Sequence, residues 1–128
     1  MPFTHTILQR VTVENRNIAK TIEVEAGALS SLSESIADAA TNLPVAFTLD
    51  VSATKSFLIV SDQAVTVKTN SSGAPANTLV LVAGVPYIWH SSSYDTFKLT
   101  IDVTSLFVTN ASGFAATLEI EALVDPTP

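Results

Sequence analysis

The sequence contains no cysteine, which excludes disulfides, thiolate nucleophiles and cysteine-ligated zinc and leaves packing as the source of stability. Charge is also scarce. Only 14% of residues are charged, against roughly 25% in an ordinary soluble domain, so Ser, Thr, Asn and Ala must cover much of the surface. Such a surface suits association, and its contacts are expected to depend weakly on salt, because exposed ion pairs contribute little. Six Lys and Arg oppose twelve Asp and Glu, a formal net charge of −6. That sign repels nucleic-acid phosphates and anionic headgroups, so neither nucleic acid nor membrane is expected as a partner. Long apolar runs are missing as well. The longest, Thr78 to Trp89, is broken by Gly84 and Pro86 and is too short to span a bilayer. The N-terminus has no charged start, long apolar run or small-residue cleavage site, so synthesis in the cytoplasm without Sec export is expected.

What is present is a chain of 128 residues, 47% hydrophobic, with a mean hydropathy of +0.39. Those values suit one folded domain, residues 1–128, and exclude a disordered tail. Thr, Val, Ile, Leu and Phe recur in short alternating runs punctuated by Asn, Gly, Ser, Asp and Pro. This pattern predicts an all-β protein, an antiparallel β-sandwich of jelly-roll type with about eight to ten short strands. The predicted strands are Thr4 to Glu14, Ile18 to Glu25, Val45 to Val51, Ser56 to Val60, Ala64 to Thr69, Thr78 to Val82, Pro86 to His90, Phe97 to Ile101, Ser105 to Thr109 and Ala115 to Val124. Leu29, Leu32 and Ile36 fit a helical spacing within Ala28 to Thr41, but the many Ser residues there favour an irregular strand. Val67-Lys-Thr-Asn-Ser-Ser-Gly and Val108-Thr-Asn-Ala-Ser-Gly echo each other. Both read as hairpin loops, with Asn and Gly supplying positive φ.

The first two strands predict a hairpin within residues 1–27. For their apolar faces to coincide, the numbers of paired residues must sum to an odd value, because Val11 and Val13 are odd whereas Ile22 and Val24 are even. Two registers are favoured, pairing Arg10 with Glu23 or with Glu25, and the first leaves Arg16-Asn17 as the loop. The alternative is an arm that leaves its own domain and reaches a neighbouring subunit.

Candidate chemistry is sparse. His5 and His90 are the only histidines; His90 precedes Ser91, Ser92 and Ser93, with Asp95 close by. Neighbours in a strand point to opposite faces and no Gly-x-Ser-x-Gly elbow is present, so this reads as a polar loop and no catalytic residue is assigned. Asp50, Asp62, Asp95, Asp102 and Asp125 are scattered singly without a Ca²⁺-loop spacing. They read as turn formers, and no metal or cofactor is expected. The sequons at Asn70 and Asn110 read as turn chemistry. Tyr87 and Trp89 share a strand face about 6.6 Å apart, a spacing that could stack a sugar, with Tyr94 nearby. The competing reading makes Trp89 a core residue and points Ile88 and His90 outward.

Several blocks, in order, carry a resemblance: Val60-Ser-Asp-Gln-Ala-Val-Thr-Val, Thr69-Asn, Ala83-Gly-Val-Pro-Tyr-Ile-Trp, Asp102-Val-Thr-Ser-Leu-Phe-Val-Thr-Asn and the ending Asp125-Pro-Thr-Pro. Residues 45–128 resemble a group of small phage virion proteins found with head genes. The resemblance implies a non-enzymatic structural protein of the virion, made in the bacterial host cytoplasm. A capsid decoration or cement protein is expected, bound to the major capsid protein or another virion protein and homo-oligomeric on the particle. The alternative expectation is a carbohydrate-binding module or other part of a phage neck, tail or fibre, using Tyr87, Trp89 and Tyr94.

Overall fold

A computed structural model describes residues 3–125; the last three residues of the Asp125-Pro-Thr-Pro ending lie outside the described residues. Alternating apolar and polar side chains produce ten strands: β1 (Phe3–Val13), β2 (Arg16–Ala26), β3 (Ala28–Ile36), β4 (Leu43–Val45), β5 (Thr54–Ser61), β6 (Val65–Thr69), β7 (Thr78–Leu81), β8 (Tyr87–His90), β9 (Leu106–Thr109) and β10 (Ala116–Val124). The described residues form no α-helix; one 3₁₀ turn, Val51–Ala53, precedes β5. The serine-rich stretch after residue 27 is therefore strand, with Ala28, Ser30 and Leu32 half-buried and Ile36 fully buried.

Eight strands form two four-stranded antiparallel sheets, β3-β10-β5-β8 and β4-β9-β6-β7. The pairings β3–β10, β4–β9, β5–β8 and β6–β7 are nested. They are the pairings of one long hairpin rolled up so that successive pairs fall in opposite sheets. Side chains from both inner faces build a single core around Phe57, Ile59, Val67, Val108, Leu118 and Ile120, each almost wholly buried. Aromatic rings fill it beside β8. Phe57 lies 5.3 Å from Phe97 and 6.2 Å from Tyr87, and Trp89 stacks on Phe97 at 4.3 Å with the rings 11° apart.

One predicted strand does not form and another forms only in part. Phe97 and Leu99 are buried as alternation demands, but Phe97 to Ile101 joins no ladder. Its N–H groups are taken by side chains: Lys98 N–H donates to Tyr87 Oη at 3.1 Å and Thr100 N–H to Asn77 Oδ1 at 3.0 Å. Val45 to Val51 likewise buries Val45, Phe47 and Leu49, yet pairs only through β4 and one bridge, Leu49 to Val103. The two echoing loops also differ. Residues 70–77 do close a hairpin between β6 and β7, whereas 110–115 cross from one sheet to the other, because β9 and β10 belong to different sheets.

β1 and β2 form a separate two-stranded sheet. Its register sum is odd, so the apolar faces do coincide, with Ile7 opposite Ile22 and Val11 opposite Ile18. The sum is 29, however: Val13 pairs with Arg16, the loop is Glu14-Asn15, and Arg10 lies opposite Ala19 rather than Glu23 or Glu25. Packing decides this. Ile7, Val24 and Ala26 close over Leu123 on the outer face of β10, and burying a Val, Leu or Ile side chain is worth about 1.5–3 kcal/mol. A cross-strand charge pair is worth only about 0.2–1 kcal/mol. The hairpin thus rests on its own chain's sheet at its open end.

Candidate functional site

The chemistry-bearing residues gather where the hairpin crosses the outer face of the β3-β10-β5-β8 sheet. β10 turns Ala122 and Val124 inward and Leu123 outward, yet all three are buried, because the hairpin covers the second face. Beside Leu123, Ser56 on β5 also points outward. His5 Nδ1 meets its Oγ at 2.9 Å. Burial pushes the His5 imidazole below its ordinary value, and the Glu121 carboxylate opposes that shift. Ser, His and Glu are therefore neighbours, but they do not form a hydrolytic triad. Ser56 is only 2% exposed, and among the described residues Glu121 makes no hydrogen bond to His5. The contact reads as a polar latch on the apolar seam.

The sequence-named residues have definite places. His90 faces outward, buried; its Nδ1 accepts from Ser92 N–H at 3.2 Å, and Ser93 Oγ accepts from His90 N–H at 2.9 Å. This is turn chemistry on the strand end, so the His90, Ser91–Ser93 and Asp95 cluster holds a loop. The aspartates brace connections in the same way. Asp50 accepts from Ala53 N–H and Ser52 Oγ, Asp62 from Thr117 N–H at 2.8 Å, and Asp102 from Val51 N–H at 2.9 Å. Among the described residues no group of three or more His, Asp or Glu side chains is placed to hold a metal ion.

The two sequon asparagines are structural pins. Asn70, at φ 70°, donates to Asp102 O and accepts from Thr104 N–H at 2.7 Å. Asn110 is fully buried; its amide donates to Ile36, Ala37 and Phe114 carbonyls and accepts from Ser112.

Tyr87, Trp89 and Tyr94 do come together. They line one wall of a groove of about 510 Å³ whose other wall is the hairpin, at Gln9, Lys20 and Ile22. Tyr87 and Trp89 share the inner face, and both are committed to packing. Trp89 stacks on Phe97 and donates its indole N–H to Asp95 O at 3.1 Å. Tyr87 accepts from Lys98 N–H, and burial raises its phenol above the ordinary value. Tyr94 alone is fully exposed.

Sequence reasoning missed the His5–Ser56 contact and the burial of Leu123. The first joins residues far apart in the chain and left no local signal. The second had one: Ala122-Leu123-Val124 breaks alternation, as strands covered on both faces do.

Past the seam the hairpin is uncovered. Each strand has 11 residues and spans roughly 36 Å, but side chains from Leu8 to Thr12 and from Glu14 to Thr21 are all exposed. Val11 and Ile18, directly paired, remain 60% and 58% exposed.

In comparisons with known proteins, no family model, no curated protein and no solved structure matches the chain.

Proposed function

We propose that the chain is a non-enzymatic structural protein of a bacteriophage particle, a capsid decoration or cement protein that binds the assembled capsid and stabilises it. The observation that carries this reading is the hairpin end that leaves its own domain with apolar side chains uncovered on it. A two-stranded ribbon alone in water is marginally stable, so this one is built to be completed by a partner. The nested strand order supports reading the sandwich as a jelly roll, an architecture shared by viral capsid and lectin domains. Fold alone does not assign function; the resemblance of residues 45–128 to phage head-associated proteins supplies the particle. In this reading the protein is made in the bacterial host cytoplasm, resides in the virion, contacts the major capsid protein or another virion protein, and needs no cofactor, nucleic acid or membrane. Its many weak contacts act together through avidity. The test is co-sedimentation of purified protein with capsid shells that lack it. Saturable binding, reduced when residues 9–20 are replaced by a short turn, is expected; no binding by the intact protein contradicts the proposal.

One observation favours a second reading, a carbohydrate-binding module of a neck, tail or fibre: Tyr87, Trp89 and Tyr94 line one groove with Gln9 and Lys20 across from them. Tyr94→Ala is the discriminating variant, since Trp89 and Tyr87 also hold the fold. Glycan binding by the wild type that this change abolishes would favour the module over the capsid protein.

A further inference from the structure

The charges of this chain are not spread evenly. Residues 8–21 hold Arg10, Arg16 and Lys20, half of all the bases, and one acid, Glu14, for a local net charge of +2; since the whole chain carries −6, the remainder carries −8. Within the hairpin, alternation puts Arg16, Ile18 and Lys20 on one face with Val11, which is paired to Ile18. That face continues the one that closes over Leu123 nearer the open end. The hairpin end therefore presents an apolar pair, Val11 and Ile18, left exposed by its own chain and flanked by two cations, of which Lys20 also borders the Tyr94 groove.

The complement lies at the opposite end of the same molecule. The hairpin packs where β10 ends, at Leu123 and Ser56, whereas β3 ends and β10 begins at the far end of the sheet. There the 110–115 crossover raises Phe114, 68% exposed. Asn110 ties Phe114 to Ile36 and Ala37, and Asp62 bonds Thr117 beside it. Exposed Glu34 and Asp38 flank the Ile36-Ala37 backbone to which Phe114 is tied, and Asp62 is exposed as well. No Lys or Arg occurs in residues 21–54 or 99–128 to neutralise them.

We infer that the Val11–Ile18 end of the hairpin docks on the Phe114 end of a second copy of this chain, with Arg16 and Lys20 facing Glu34 and Asp38 there. The contact is head to tail. Donor and acceptor surfaces are different patches at opposite ends, so a single contact leaves one of each unfilled and further copies can add in a ring or a chain. The apolar pair against Phe114 supplies the holding contact, and the charges select the partner end, since like charges brought together repel any other orientation. Two hairpin ends, both cationic, do not pair with each other. The inference names a partner for the uncovered hairpin on which the proposed function rests.

A charge-exchange experiment tests it by sedimentation velocity over a range of concentrations. The wild type associates as concentration rises. R16E/K20E makes both ends acidic, and E34K/D38K makes both ends basic; each alone is expected to associate about tenfold or more weakly than wild type. Mixed in equal amounts, the two variants restore association, because each acidic end then meets a basic one. All the substituted side chains are exposed, and unchanged near-ultraviolet circular dichroism verifies their folds. A wild type monomeric throughout, reversals without effect, or a mixture no tighter than its components overturns the inference. The proposed function fails separately: a monomer that still co-sediments with capsid shells sinks only the self-contact, whereas self-association without shell binding sinks only the capsid role.

Discussion

The sandwich and the hairpin are built from the same residue types, with the same alternation, and reach opposite ends. In the sandwich each inner side chain meets another sheet, no buried side-chain nitrogen or oxygen among the described residues lacks a partner, and the acids at turns bond backbone N–H groups. In the hairpin only the open end meets a second layer, through Ile7, Val24, Ala26 and Leu123. The difference teaches that a strand's alternation announces a buried face without saying whose surface buries it. For β10 it is the opposite sheet and, at Leu123, the hairpin. For Val11 and Ile18 nothing in the same chain serves.

The largest test of this contrast is a pair of truncations. Phe57→Ala, at a site 1% exposed and in contact with two rings, is expected to destabilise the fold by about 3–5 kcal/mol. Val11→Ala, at a site 60% exposed, should stay within about 0.5 kcal/mol in the free protein. Urea denaturation followed by Trp89 fluorescence measures both, and similar costs would erase the distinction. Next comes Asn110→Ala, which strands the buried carbonyl of Ile36 and should cost about 1–3 kcal/mol by the same measurement.

A smaller effect concerns the seam between the regions. Burial holds the folded-state value of His5 below its ordinary 6.5, with Glu121 on β10 as the opposing charge. The docked hairpin therefore disfavours the proton that a released hairpin accepts. The stabilisation is complete above the ordinary value and declines as pH falls through the lowered one. Amide exchange in β1 and β2 should quicken as pH falls below about 6.5 while the sandwich amides hold, and His5→Gln should flatten that response. Exchange that is independent of pH in the wild type, beyond its intrinsic chemical rate, would remove the latch from the account. Smallest is Ala39→Gly. Ala39 sits exposed at φ 64°, a region costly for any side chain, so glycine there should stabilise by about 0.5–1 kcal/mol in thermal unfolding.

Most of the fold was legible because alternation was kept even where ladders were not. Phe97 and Leu99 obey it, as do Val45, Phe47 and Leu49; what the sequence could not reveal was that Tyr87 and Asn77 side chains would take the N–H groups that a neighbouring strand would otherwise use. The hairpin's parity was readable from Val11 and Ile22, but its register was not. Arg10 and the nearby glutamates suggested a pairing, while the surface that set the register, Leu123, lies a hundred residues away in the chain. The candidate site was legible in part. Tyr87, Trp89 and Tyr94 do share a groove, but Phe97, which occupies one face of Trp89, comes from a segment whose position no local pattern gives. Few charges overall imply contacts that depend weakly on salt, and the proposed self-contact, where half of the bases meet acids, is where salt should weaken association most.

The measurement that bears most directly on the whole account is hydrogen exchange read residue by residue, on the dilute protein and on the same protein bound to capsid shells. The account predicts that amides of residues 9–20 exchange rapidly in dilute solution and become protected on the particle, while β5 and β10 stay protected in both. Slow exchange of residues 9–20 in the dilute protein, or no gain in their protection on the particle, would contradict it.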